Sequence, residues 1–278
     1  MVALDPRIHP FRPEIAANFL QGQVEAKRFV EGTRHQVVET STPLRRRPSF
    51  DAGLNTEVLF GEIVTVYDIE DGWAWGQLET DGYVGWIAAA ALSAPGPAAT
   101  HKVSVPRTFA FPAPDVKRPP LAALPMGARL TIASQDERFA VTESGWHIPE
   151  VHLAPLKARR SDYVATAEQF LNAPYLWGGK TSLGIDCSGL VQVALHAAGL
   201  ACPRDSDMQE LALGKPIAAS EIRRGDLLFW KGHVAIARDA ETLLHANAYH
   251  MAVATEDMES ALNRIKAMGS EVTSIKRV

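Results

Sequence analysis

The sequence predicts an α+β protein, with small β-barrels in its first part and a mixed domain in its last part, helices ahead of strands. Two observations predict this. Up to about residue 156, short runs of β-branched and aromatic residues are separated by turn signals such as Asp71-Gly72 and Asp81-Gly82. From about residue 158, apolar residues recur first at helical spacing and then in short strand-like runs.

Taken in order, residues 1–35 are an N-terminal extension that mixes proline with a short helical pattern, Pro13 to Gln21, and is expected to pack on another part of the chain. Residues 36–95 form the first β-rich domain. Val37 and Val38 open it, a turn-rich loop runs from Thr42 to Asn55, and strand-like segments follow at Glu62–Tyr67, Trp73–Leu78 and Tyr83–Ile87. The Pro/Ala/Gly-rich stretch Ala94–Ala99 reads as a linker into a second β-rich domain, 96–157. Both domains close on a turn, an aromatic residue, a short strand and a leucine, Leu92 and Leu153, which reads as an internal duplication.

The last domain, 158–278, opens with a helix over Asp162–Leu171 that Pro174 stops. A second helix runs from Cys187 to Ala198, with Gly199 as its C-terminal stop. Three strands, Asp226–Trp230, His233–Arg238 and Thr242–Asn247, precede a helix over about Asp257–Met268 and a final strand.

Composition narrows the function classes. The net charge of −4 gives no electrostatic reason to expect nucleic acid as a partner. No run of about 18 apolar residues marks a membrane span. The N-terminus lacks a basic region followed by an apolar one, and the expectation from this is a cytoplasmic protein. The two cysteines, Cys187 and Cys202, are too few for a disulfide framework and have no zinc-ligand spacing, so both are expected as free thiols.

The chemistry begins at Cys187. It opens a helix within Ile-Asp-Cys-Ser-Gly-Leu, where unpaired N–H groups and the positive dipole end favour a thiolate. Asp186 works against that, because a neighbouring carboxylate raises a thiol pKa, so a cationic histidine should lie close by. His233 and His245 lie on successive strands. A three-residue loop at Arg238–Ala240 would set them directly opposite, roughly 5 Å apart, and a two-residue loop at Asp239–Ala240 would send them to opposite faces. In a Cys/His/His set the first histidine takes the thiol proton and gives it to the leaving amine, while the second holds the first in one tautomer. Asn247, on the face of His245, is an auxiliary candidate.

Four ordered motifs carry a resemblance. Pro174-Tyr-Leu-Trp-Gly-Gly179, Asp186-Cys-Ser-Gly-Leu-Val191, Gly225-Asp-Leu-Leu-Phe229 with Gly232-His-Val-Ala-Ile236, and Leu244-His-Ala246 are similar to the NlpC/P60 peptidases, papain-like cysteine enzymes of cell-wall peptides. The two β-rich domains resemble bacterial SH3 domains. The expected architecture is therefore a papain-like NlpC/P60 catalytic domain preceded by two small SH3-like β-barrels. The resemblance implies Cys187 as nucleophile, His233 as base, His245 as the orienting residue and Tyr175 as an oxyanion donor beside the Cys187 backbone N–H. It implies that Asp186, Ser188, Trp177 and Ser206 meet the substrate.

The layout resembles γ-D-glutamyl-L-diamino acid endopeptidases of the dipeptidyl-peptidase VI type. In that type the first SH3-like domain covers one end of the cleft and helps bind the free amine of an N-terminal L-Ala; Tyr83 and Glu57 are the matching candidates here. The expected partner is a murein peptide, met during peptidoglycan recycling, and no cofactor or metal is implied. The alternatives are a secreted endopeptidase of intact wall, a papain-like amidase or acyltransferase, and a binding module with a dead peptidase domain. A cysteine phosphatase is disfavoured, since no arginine follows Cys187 within its helix, and a zinc hydrolase would need a third ligand near the histidines.

Overall fold

The computed structural model describes residues 4–278. They form two compact units, one comprising the residues up to Val103 with Arg107–Leu156, the other Lys157–Val278 with Ser104–Pro106.

The first unit is built around a seven-stranded antiparallel sheet, ordered Leu92–Ser93, Thr33–Val37, Ile63–Glu70, Trp73–Leu78, Val84–Ala88, Ser41–Arg45, Leu54–Leu59. Its core is small and aliphatic: Val37, Leu44, Val58, Val64, Ala74, Leu78 and Ile87, with the ring of Tyr83 among them. Alternation along Trp73–Leu78 puts Ala74 and Leu78 inside and turns Trp73 and Trp75 to the other face. Ile15 packs against these tryptophans, Val84 and Trp86.

That packing corrects the expected helix at Pro13–Gln21. The segment instead holds the strand Ile15–Ala17 and one 3₁₀ turn, Asn18–Leu20. Ala16 pairs with Phe11 on one side and Phe29 on the other, so its backbone is satisfied by neighbours rather than along a helix. Arg12 lies 4.9 Å and 4.6 Å from the ring centroids of Trp75 and Trp86 and pairs with Asp68, pinning the segment to the aromatic face. The expected Thr42–Asn55 loop is also corrected: Ser41–Arg45 and Leu54–Leu59 are paired strands, and only the residues between them turn. Pro43 and the following arginine run mask the alternation of buried Thr42 and Leu44.

The rest of the first unit is a set of short sheets. His101–Val103 pairs with Arg129–Leu130 and Leu153–Pro155, Arg107–Ala110 with Ala122–Pro125, and Phe139–Thr142 with Ile132–Gln135 and His147–Pro149.

The second unit has a six-stranded antiparallel sheet, ordered Lys215–Pro216, Val272–Arg277, Asp226–Trp230, His233–Ala237, Thr242–Asn247, Ala252–Asp257. Four helices accompany it: α1 (Tyr163–Glu168), α2 (Cys187–Ala197), α3 (Ser206–Ala212) and α4 (Met258–Ala267). The strand Ala252–Asp257 and helix α3 are additions to the sequence reading. α1 ends earlier than expected, at Glu168. Helix α2 packs on the strands of His233 and His245, while Met258 and Ala261 of α4 join Leu228, Ala235 and Leu243 in a separate core. Among the described residues no helix is long and apolar enough to cross a membrane.

Candidate active site

Cys187 is the first residue of α2, and Asp186 is its N-cap. The Asp186 carboxylate accepts from the backbone N–H of Gly178 and of Gly189, both at 2.7 Å, which ties the Tyr175–Gly179 loop to the start of the helix. Glycine is required at 189, because a Cβ there would lie 2.4 Å from the Gly179 carbonyl oxygen. The aspartate-cysteine-serine-glycine order thus has a local cause: a capping acid, the thiol at the first turn, and a residue without a side chain where the loop crosses.

A buried arginine that sequence reasoning did not single out completes this corner. Arg204, 1% exposed, donates to Asp186 through Nη1 (2.9 Å) and Nη2 (2.8 Å), and also reaches Ser188 Oγ (2.9 Å) and the Gly179 carbonyl (3.2 Å). Asp186 and Ser188, expected to meet substrate, are buried, with the Ser188 hydroxyl also donating to Asp186 at 3.3 Å. The carboxylate therefore has an internal task. Gln209 of α3 donates to the Ser188 carbonyl at 2.9 Å, fastening the helix that begins with half-buried Ser206 to the turn that carries Cys187.

The thiol is buried, and burial pushes its pKa up to about 12, with Asp186 adding to the rise. The backbone N–H groups of Val234 and Ser188 and the charge of Arg204 act in the opposite direction. The Val234 contribution sets the sulfur at the beginning of the His233 strand. Burial pulls His233 down to about 3 and His245 down to about 4. Burial thus works against the thiolate and against the cationic form of both imidazoles. The Tyr175 hydroxyl is half-buried and pushed up to about 12, first by burial and then by Cys187 and Asp186, so it stays a protonated donor near the sulfur. Trp177 is 68% exposed.

The two histidines meet, although not in the expected register. Arg238 N donates to the Thr242 carbonyl, and Ile236 and Ala237 pair with Leu244 and Leu243. The loop is thus Asp239–Glu241, a shift of two residues that preserves the faces. His233 and His245 are diagonal neighbours, with His233 Nε2 3.0 Å from His245 Nδ1. The indole of Trp230 lies 5.5 Å from the His233 ring. Asn247 reaches neither imidazole: its Nδ2 donates to the His245 backbone carbonyl at 3.5 Å, and its Oδ1 accepts from the His250 backbone N–H (2.8 Å) and lies 3.0 Å from His250 Nδ1, shaping the turn that follows.

Two further residues were not legible, Glu256 and Arg264. Glu256 Oε2 is 3.1 Å from His245 Nε2, and Arg264 grips both Glu256 oxygens, at 2.8 and 2.7 Å. His245, His250 and Glu256 bring candidate ligand atoms within 4.8 Å of one another, so the further ligands that a zinc hydrolase would need do lie near His245, though His233 is not in the group. Hydrogen bonding accounts for the spacing of His245 and Glu256, and the Arg264 guanidinium already neutralises the carboxylate that a cation would use.

Tyr83 and Glu57 belong to the first unit. Tyr83 is 4% exposed among the barrel's own core residues, and Glu57 accepts from Ser41 Oγ at 3.3 Å across the paired strands.

Comparison with known proteins follows this geometry. The NlpC/P60 family profile matches residues 172–270, which hold the cysteine and both histidines, and the profile of the bacterial dipeptidyl-peptidase SH3 domain matches residues 44–92. The gamma-D-glutamyl-L-lysine dipeptidyl-peptidase of Bacillus subtilis (strain 168) is 30% identical over 222 residues, 70% of this chain and 73% of that protein. The chain belongs to the NlpC/P60 family. Dipeptidyl-peptidase 6 of Lysinibacillus sphaericus is 39% identical to this NlpC/P60 chain over 106 residues, which are 37% of it and 39% of that relative's length. The crystal structure of an NlpC/P60 family protein from Bacillus cereus ATCC 10987 superposes with a TM-score of 0.76 at 19% identity, covering 88% of this chain and 99% of that one, and so shares its fold.

Proposed function

We propose that this NlpC/P60 protein is a cysteine peptidase that hydrolyses the bond between the γ-carboxyl of D-glutamate and the following diamino acid in murein peptides with a free N-terminal L-Ala. The observation that carries the reading is Cys187 at the head of α2, beside the strand of a histidine that is itself hydrogen-bonded to a second histidine. The relatives named as dipeptidyl-peptidases supply the substrate class.

In this mechanism His233 takes the Cys187 proton as the sulfur attacks the γ-carbonyl carbon. The Cys187 backbone N–H and the Tyr175 hydroxyl receive the developing oxyanion. The C–N bond breaks, and His233 returns the proton to the departing amine. Water, deprotonated by His233, then attacks the thioester, and the proton goes back to the released thiolate.

We further infer that the second β-rich block is another SH3-like domain. Each block ends on a strand, a three-residue 3₁₀ turn and a short strand: Val84–Ala88, Ala89–Ala91, Leu92–Ser93 in one and His147–Pro149, Glu150–His152, Leu153–Pro155 in the other. In both, the last strand pairs with the block's first strand, Leu92 with Val37 and Leu153 with Val103. Free-amine peptides are small soluble turnover products, and on that ground we place the enzyme in peptide recycling in the cytoplasm.

The test compares kcat/KM on L-Ala-γ-D-Glu-diamino acid peptides with a free and an acetylated amine. A loss of ~100-fold or more on acetylation is expected, because a site selective for a free ammonium would lose its charge and meet the acetyl group sterically. Equal rates would favour the alternative reading, an endopeptidase of intact wall, in which the L-Ala amine is acylated.

A further inference from the structure

We propose that Glu256, clamped by Arg264, fixes the tautomers of both histidines, so that His233 presents an unprotonated Nδ1; the two are positioning residues for activation of the thiol. The proposal rests on the reading of Cys187 and His233 as nucleophile and base.

Hydrogen-bond direction leaves no other consistent arrangement. Arg264 donates through Nε to Oε1 (2.8 Å) and through Nη2 to Oε2 (2.7 Å), and it holds Glu256 below the usual carboxylate range. An ionised carboxylate only accepts. His245 Nε2, 3.1 Å away, must therefore be the donor. Burial keeps His245 neutral, so its single proton is on Nε2 and its Nδ1 is an acceptor. The partner of that Nδ1, His233 Nε2 at 3.0 Å, must then carry the proton of His233. The lone pair of His233 is left on Nδ1, ready to take the thiol proton. Without a fixed acceptor at 256, His245 can carry its proton on Nδ1 instead. It would then donate to His233 Nε2 and move the proton of His233 onto Nδ1, where it blocks the base.

The fold explains why Glu256 can do this. His245 pairs with Ala254 on the neighbouring strand, and the methyl group leaves room for Glu256, one pleat further on the same face, to reach the imidazole. Helix α4 starts at Met258, with Asp257 capping it by accepting from Ser260 N, and carries Arg264 back over Glu256. The guanidinium lies 4.3 Å from the ring centroid of Tyr249, which steadies it from the other side.

The charges around the histidines give the proposal signs that a purely structural role would not produce. His233 faces His245, Glu256 and Arg264, with the Cys187 thiol beside its strand; His245 faces His233, Glu256, Arg264 and His250. Glu256 favours protonation of both rings and Arg264 opposes it.

The experiment uses the full chain and three readouts. In nitrogen NMR spectra of the ¹⁵N-histidine-labelled wild type, His233 and His245 should both be Nε2–H tautomers, and Glu256→Gln should bring in the Nδ1–H forms. With an isosteric amide, Arg264 takes the oxygen and the NH₂ donates towards His245 Nε2. Glu256→Gln should therefore lower kcat ~10–100-fold with KM changed less than about 2-fold, the size usual for partners that orient a functional histidine. The acid limb of kcat/KM should move to lower pH in Glu256→Gln and to higher pH in Arg264→Gln, by about one unit or less. A wild-type spectrum with His233 in the Nδ1–H form overturns the proposal, as does a Glu256→Gln enzyme with wild-type kcat, or limbs that move the same way in both variants. If Glu256→Gln fails to fold, the wild-type spectrum still decides. Full turnover by Cys187→Ala or His233→Ala would instead remove the underlying catalytic reading, and the tautomer result would stand apart from it.

Discussion

Replacing Arg204 by methionine should strongly destabilise the catalytic unit. The guanidinium is 1% exposed and forms a two-pronged pair with Asp186 at 2.9 and 2.8 Å, together with bonds to Ser188 Oγ and the Gly179 carbonyl. Methionine fills similar space but leaves a buried carboxylate facing an apolar chain. Removing one partner of such a pair costs ~3–5 kcal/mol, or roughly 10–20 °C in Tm for a unit of this size. Asp186 retains two backbone N–H donors, which argues for the lower end of that range. The discriminating variant is the double Asp186→Asn/Arg204→Met. Asparagine still caps α2 through Oδ1 and carries no stranded charge, but its NH₂ faces the Gly178 N–H, so the double variant should regain only ~1 kcal/mol relative to Arg204→Met. Urea unfolding of the full chain by circular dichroism, with calorimetry to resolve the two units, measures both. Arg204→Met within ~1 kcal/mol of wild type, or a double variant less stable than Arg204→Met, would refute the reasoning.

Further outcomes follow from the same geometry. His245→Ala should reduce kcat less than His233→Ala, because the first loses orientation and the second loses the base; steady-state kinetics of both variants decide, and the reverse order would exchange the roles. Tyr175→Phe should lower kcat ~10-fold or more with little change in KM, since its hydroxyl acts only on the oxyanion; a change confined to KM would make Tyr175 a binding residue. Stability should fall as pH drops from about 6.5 towards 4. The folded pKa values of His233 and His245 are about 3 and 4, so the unfolded chain takes up protons that the folded chain refuses. Each such proton steepens the loss by about 1.4 kcal/mol per pH unit. Substituting either histidine by asparagine should flatten the slope measured by denaturant titration, and an unchanged slope would contradict the burial argument.

What the sequence revealed depended on how local the cause was. The strand Trp73–Leu78 and the start of α2 were legible because alternation, turns and an N-capping acid lie within a few residues. The sequence leaves the shared face of His233 and His245 open between a three-residue and a two-residue loop; the loop has three residues, so parity holds, although the register is shifted by two. Segments whose structure depends on distant partners were misread. Ile15–Ala17 has helical spacing but is claimed by neighbouring strands and by tryptophans some sixty residues away. Nothing local marks Arg204, since its partner is eighteen residues distant in sequence. Nothing local marks Glu256 either, because its strand, Ala252–Asp257, went unrecognised.

The central claim is that Cys187 cuts the γ-D-glutamyl bond. Mass spectrometry of the products from L-Ala-γ-D-Glu-diamino acid tripeptides, with wild type and Cys187→Ala side by side, tests it most directly. The account expects L-Ala-D-Glu and the free diamino acid from wild type, and no products from a folded Cys187→Ala protein. Cleavage at the L-Ala–D-Glu bond, or continued turnover by Cys187→Ala, would contradict it.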